Sequence, residues 1–270
     1  MSLLAELPES SATGRLGEIY GDIRRLGGVP MVALIFRHLA TRPGTLEWAW
    51  DAMAPAWRSG LLQEAAWRVA RDVRLDPIAR IASAALPPLG VGASDVPALR
   101  AVLVAYNRAN PENMLSVLCL VRLLAGNREA RALEPRAWTP PAAPGPLLPM
   151  VDVSHLSPEV SALMDVVAAP GPAGGPRVIQ SLYRHIAQRP AFLALAVTLL
   201  RQRLDDGSID RATAAVVARM NEEANRLADA MAAPPAPDPA VRAVLERFSG
   251  AVIPQMIVVG RLLEEAMPPR

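Results

Sequence analysis

One eight-residue phrase occurs twice in this chain. Phe36-Arg37-His38-Leu39-Ala40-Thr41-Arg42-Pro43 returns as Tyr183-Arg184-His185-Ile186-Ala187-Gln188-Arg189-Pro190, an offset of 147 residues (183 − 36), and Gly27-Gly28 returns as Gly174-Gly175 at the same offset. Arg100-Ala101-Val102-Leu103 recurs as Arg242-Ala243-Val244-Leu245, an offset of 142 (242 − 100). Internal repetition constrains a fold more than local propensity does, because each copy must build the same unit. The period is far longer than the roughly 20–50 residues of a solenoid repeat, so each copy is domain-sized. Two such copies docked face to face predict an intramolecular pseudo-dimer with one cleft between its halves.

Proline marks the joint. The chain has 27 prolines, and the densest group runs from Pro135 through Pro140, Pro141, Pro144 and Pro146 to Pro149. Each ring removes a backbone donor and clashes with a preceding helical turn, so this stretch is not a helix. The expected division is a first repeat over 1–133, a linker over 134–151 and a second repeat over 152–270. Within the first repeat, the spacing of Val32, Leu34, Ile35 and Leu39, and of Leu46, Trp48, Trp50 and Met53, suits helices, with Pro30 and Pro43 at first-turn positions. Further helices are expected over about 58–74, 95–107 and 111–125. The second repeat gives a parallel series over about 157–168, 177–189, 191–204, 208–231, 238–249 and 253–266. Asp210 and Asp238 stand near helix starts, where a carboxylate favours the exposed N–H groups. No alternating apolar and polar run carries turn signals, so the fold class is all-α.

Composition removes several kinds of function. With 51% hydrophobic and 20% charged residues over 270 positions, the chain can bury a large core. Its 28 cationic side chains are all arginine, which fits a GC-rich genome and excludes a lysine Schiff base or a phosphate-loop lysine. The stretch Pro170-Gly171-Pro172-Ala173-Gly174-Gly175-Pro176 is therefore read as a plain loop. The pI near 9.2 comes from a net charge of +2 spread among interleaved acids, as in Arg68, Arg71, Asp72 and Arg74, and not from a nucleic-acid stripe. Cys119 is a lone thiol in an apolar run, so it reads as a small hydrophobe, and the absence of Cys-x-x-Cys removes thiol peroxidase chemistry. Only His38, His155 and His185 could supply imidazole ligands, and nothing has metal-site spacing, so neither a metal nor a cofactor is expected. His38 and His185 are repeat mates, which favours a shared structural role. The first eleven residues lack a signal-peptide apolar region, and no uninterrupted apolar run reaches the ~18 residues that span a bilayer, so a cytoplasmic protein with no membrane partner is expected.

Two clusters remain. The tryptophans at 48, 50, 57, 67 and 138 concentrate in the first repeat. Positions 48, 50 and 57 do not share a helical face, which weakens an aromatic cage in favour of core packing. Asn110 precedes Pro111 and a very apolar segment, where an asparagine serves either as a turn residue or as a polar group at the mouth of a cleft. Its counterpart in the second repeat is apolar, Val252 or Ile253. Such asymmetry is what one functional site between two similar halves requires.

The duplicated Arg-His-x-Ala-x-Arg-Pro helix, the proline-rich linker and the Tyr106-x-x-x-Asn110-Pro111 segment together resemble the group I 2-haloacid dehalogenases over about residues 15–267. That resemblance implies an all-helical pseudo-dimer that hydrolyses short 2-haloalkanoic acids without metal or cofactor. It implies a carboxylate that activates a water for direct displacement of halide, with no ester intermediate. The family's activating aspartate would stand between a serine and Tyr-Arg. Here the string is Ser181-Leu182-Tyr183-Arg184, and no Asp or Glu occurs between Asp165 and Asp205. Glu64 is the remaining candidate acid. By the same resemblance, Asn110, Ser181, Leu182, Tyr183, Met31 and Leu34 are the candidate substrate contacts. Two readings follow: a dehalogenase-like hydrolase whose chemistry is lost or altered at Leu182, or a non-catalytic helical protein binding a small acid, an apolar ligand or a protein partner in the cleft. Pairing of two chains into a homodimer is left open by the apolar helix faces.

Overall fold

The computed structural model describes residues 5–126, 136–168, 179–229, 231, 236, 238, 240–250 and 252–269. Among these residues there is no strand, and the fold is all-α. The first part of the chain forms α1 (Gly14–Gly27), α2 (Leu34–Leu39), α3 (Thr45–Arg58), α4 (Leu61–Asp72) and α5 (Asp95–Leu123). The second forms α6 (Pro158–Val167), α7 (Ser181–Ile186), α8 (Pro190–Asp205), α9 (Ser208–Ala228), α10 (Val241–Gly250) and α11 (Val252–Ala266). The segment Pro170–Pro176 read as a loop lies outside the described residues.

Apolar spacing explains which helices lie at the surface. In α9, Ile209, Ala212, Val216, Met220, Ala224 and Ala228 recur every three or four residues and are all buried, while most residues between them are exposed. In α3 the buried face carries Leu46, Trp50, Met53 and Trp57, and the Trp57 indole N–H donates to Ser116 Oγ at 3.1 Å. Helix α5 differs, because Pro111 through Leu120 are buried all round. It is the central rod, and α11, α9, α4 and α10 pack along it. Cys119 lies on this rod, and burial pushes its thiol up to about 12, so it is an inert core group.

The expected interruption at Asn110-Pro111 does not occur; one helix replaces the two expected over 95–107 and 111–125. A proline inside a helix removes one hydrogen bond, and packing on several sides holds the rod together across it. Near this point α11 comes very close: a Cβ on Gly260 would fall on Asn107 Oδ1, and Asn107 Nδ2 donates to Gly260 O at 3.1 Å and to Glu264 at 2.6 Å. Pro43 also departs from expectation, lying in the turn before α3 and not in its first turn.

The duplicated phrases form α2 and α7, and these two helices make the same contacts. Leu7 N–H donates to Arg37 O at 2.9 Å, and Val151 N–H donates to Arg184 O at 3.0 Å. His38 Nδ1–H reaches Ala5 O at 2.6 Å, and His185 Nδ1–H reaches Leu148 O. Each helix is thus stitched to an extended segment that precedes it. For α7 that segment is the end of the proline-rich stretch, so residues 148–151 do for α7 what residues 5–7 do for α2. Earlier in that stretch, Trp138 packs against Trp67, and Ala142 O accepts from Arg108 at 2.7 Å.

Candidate functional site

A cavity of about 220 Å³ lies where α2, α5, α7, the end of α10 and α11 converge. Its lining follows the repeat offsets. Val32, Ala33, Leu34 and Ile35 line it together with Ile179, Gln180, Ser181 and Leu182, an offset of 147 at each position (179 − 32). Asn110 and Asn113 of α5 line it together with Ile253 and Met256 of α11, an offset of 143 (253 − 110). Corresponding positions therefore face each other across one space.

The chemistry of these pairs is not symmetric. On α5 the two residues are amides, and their α11 counterparts are apolar. At the start of α7 stand Gln180 and Ser181, and their counterparts before and in α2 are Ala33 and Leu34. The remaining walls include Met31, Met150 and Phe248, so the polar groups are set among apolar ones. Several of them are buried without a hydrogen-bond partner: Arg37 Nε, Asn110 Nδ2, and both Nε2 and Oε1 of Gln180. Buried polar groups are ordinarily paired, because an unpaired one costs about 1–3 kcal/mol. A concentration of unpaired groups around one cavity is the signature of a binding site whose ligand or solvent completes them.

Charge in the site is equally constrained. Arg37 Nη2 pairs with Glu6 at 3.0 Å, which holds the guanidinium beside the cavity. Among the described residues Glu9 is the one carboxylate in the lining, yet its Oε1 accepts from Val32 N–H at 2.8 Å and its Oε2 pairs with Arg24. His185 also lines the space. Burial lowers its pKa, the Leu148 carbonyl opposes that shift, and Arg184 adds to it; its Nδ1–H donates to Leu148 O. The Tyr106 ring packs on His185 with centroids 5.6 Å apart, and its hydroxyl bonds to Ser181. Burial pushes that phenol up to about 12, against the weaker effect of the Ser181 bond.

Of the residues singled out from sequence, Met31, Leu34, Asn110, Ser181 and Leu182 line this cavity. Tyr183 does not; it is buried on the other side of α7, since one residue along a helix turns the side chain by about 100°. Glu64 also lies elsewhere, exposed and paired through both oxygens with Arg136 at 2.7 Å. None of the tryptophans lines the space. Asn110 sits mid-helix and is not a turn residue.

Sequence reading passed over Gln180, Arg37 and Glu9, and a further buried acid. Glu112 is 1% exposed, and a Cβ on Gly27 would lie 2.6 Å from its Oε2, so the close approach depends on glycine. Burial raises its pKa well above the usual carboxylate range, against smaller opposing effects from Arg108 and the Trp67 indole. It lies outside the cavity, although Asn110 and Asn113 beside it line the wall.

The all-α fold has counterparts among solved structures. Three solved structures share it over 98% of this chain: a D-2-haloacid dehalogenase mutant (TM-score 0.67, 20% identity, 92% of that chain), a D-2-haloacid dehalogenase mutant in complex with D-2-CPA (0.65, 20%, 94%), and a D-2-haloacid dehalogenase in complex with L-LA (0.64, 18%, 94%). A configuration-inverting 2-haloacid dehalogenase from Alcaligenes xylosoxydans xylosoxydans is 32% identical over 173 residues, covering 60% of this chain and 57% of that protein. The chain thus spans a little over half the length of that curated relative. No family model matches the sequence. The chain is thus similar in sequence to a 2-haloacid dehalogenase over 60% of its length and shares the fold of the D-2-haloacid dehalogenases.

Proposed function

We propose that the protein binds a short organic acid in the cavity between its two repeats and that hydrolytic dehalogenation is lost or much reduced. The observation that carries this reading is the set of unpartnered buried donors, Arg37 Nε and Asn110 Nδ2, in a cavity of about 220 Å³ lined mostly by apolar residues. A carboxylate accepts from both, and a short alkyl group fits the walls formed by Met31, Leu34 and Met256. The relative named as a configuration-inverting 2-haloacid dehalogenase and the solved complex with D-2-CPA support the choice of a short acid.

Direct displacement of halide by water needs a base, because neutral water is a weak nucleophile. Leu182 is 0% exposed and lines the cavity where the resemblance calls for the activating aspartate. Glu9 does not substitute for it, since both of its oxygens are already engaged. The test is twofold. Purified protein should be stabilised against heat by millimolar 2-chloropropionate or lactate while releasing no measurable halide from 2-chloropropionate. Leu182→Asp should release halide at a rate about 10²–10⁴ above the parent's background. Rapid halide release by the unaltered protein would sink the loss of chemistry, and indifference of its melting temperature to all short acids would sink the ligand.

A further inference from the structure

We propose that Gln180 selects the ligand, and that the cavity takes short carboxylates bearing a hydroxyl on the second carbon in preference to halogen-bearing acids of the same size. This rests on the small-acid reading above and adds the class of acid. Gln180 is 5% exposed, and neither its Oε1 nor its Nε2 has a partner. Because both ends of the amide are unpaired, exchanging them by a flip changes nothing. The residue itself is held in place: its carbonyl accepts from Tyr183 N–H at 3.1 Å and from Arg184 N–H at 3.4 Å, at the start of α7. Its repeat counterpart is Ala33, so the amide stands on one side of the cavity alone.

The inventory of unpaired atoms defines the ligand. Arg37 Nε and Asn110 Nδ2 are donors and need acceptors, which a carboxylate supplies. Gln180 Nε2 is a donor as well. Gln180 Oε1 is different, because it accepts only, so its partner must carry an O–H or N–H. A halogen beside the carboxylate provides no hydrogen and leaves Oε1 unpaired once the ligand displaces solvent. A hydroxyl at that carbon donates to Oε1 and accepts from Nε2 at once. Sites built to bond a hydroxyl reject analogues lacking it, because a buried polar group is left unpaired.

Calorimetric titration of the full chain with each lactate enantiomer, with propionate and with 2-chloropropionate, halide release being followed in the last case, tests the idea. At least one lactate should bind roughly tenfold to hundredfold more tightly than propionate and 2-chloropropionate. Gln180→Leu should weaken that lactate to the level of propionate while leaving propionate within about twofold, which a merely structural loss would not do. Equal affinity for lactate and 2-chloropropionate, or an unchanged ratio in a folded Gln180→Leu protein, overturns the proposal and leaves small-acid binding standing. Failure of every acid to bind overturns small-acid binding itself. Should Gln180→Leu not fold, Gln180→Met and the matched ligands on the unaltered protein give the same decision.

Discussion

The two sides of the cavity share a frame and differ in chemistry. Where α5 presents Asn110 and Asn113, α11 presents Ile253 and Met256; where α7 begins with Gln180 and Ser181, the matching positions are Ala33 and Leu34. In these four pairs the polar groups therefore occupy alternate corners, and no pair is polar in both members. A symmetric space with polar groups in both members of each pair would offer two equivalent ligand poses. Under the proposed small-acid reading, the uneven pairs would admit a single pose, and the difference between the matching positions would orient the ligand.

Exchange of the polar and apolar members breaks this comparison most strongly. Asn110→Ile removes a donor that has no partner within the protein, and a hydrogen bond to a charged ligand is worth about 1.5–3 kcal/mol, so lactate affinity should fall about tenfold or more. Ile253→Asn places an amide at a position 8% exposed, where an unpaired polar group costs about 1–3 kcal/mol of stability. The double exchange keeps the composition of the cavity but moves the amide from α5 to the facing position on α11. Titration of the double variant should show no recovery of affinity. Full recovery would mean that the two corners are equivalent and that orientation is set elsewhere.

Much of this arrangement could be read from the residues alone, and the missing part has physical causes. The repeated phrase located α2 and α7, and the family resemblance supplied Met31, Leu34, Asn110, Ser181 and Leu182, which line the cavity. Gln180 escaped notice because its repeat mate is alanine, so comparing the copies for shared residues passes over it. Arg37 lies inside the repeated phrase on α2, where its copy Arg184 makes it look like a shared structural residue, and Glu9 reaches the cavity from the short turn before α1, whose contact with α2 leaves no periodic signal. Glu112 was hidden by the misread break at Pro111. An acid just after Asn-Pro looks like a first-turn carboxylate facing solvent, whereas a helix already running from Asp95 carries it into the core.

That buried acid gives a second, smaller contrast between the halves, because the position corresponding to Glu112 is Gln255. The raised pKa of Glu112 means that the folded protein holds this proton at pH values where the unfolded chain has lost it. Stability therefore falls as pH rises from the ordinary carboxylate range toward the folded-state value, with a slope of at most about 1.4 kcal/mol per pH unit from this group. Glu112→Gln makes the two halves alike and removes the titration. Its melting temperature should fall less between pH 5 and pH 8 than that of the unaltered protein. Parallel pH profiles for the two proteins would show that the Glu112 proton is not linked to folding.

The smallest effect belongs to Glu64, the acid that the sequence offered as a replacement base. Its carboxylate is paired through both oxygens with Arg136, and both side chains are more than two-fifths exposed. Water screens such a pair and competes for each partner, so exposed ion pairs add little to stability. The pair also ties the proline-rich stretch to α4, outside the cavity lining, so it has no route to a bound acid. Glu64→Gln should leave lactate affinity unchanged in titration. It should also leave the halide release gained by Leu182→Asp at the same rate, which separates the two candidate acids: an aspartate at 182 faces the ligand, and Glu64 faces solvent. A drop in that rate on removing Glu64 would place its carboxylate within reach of the cavity during turnover and reverse this assignment.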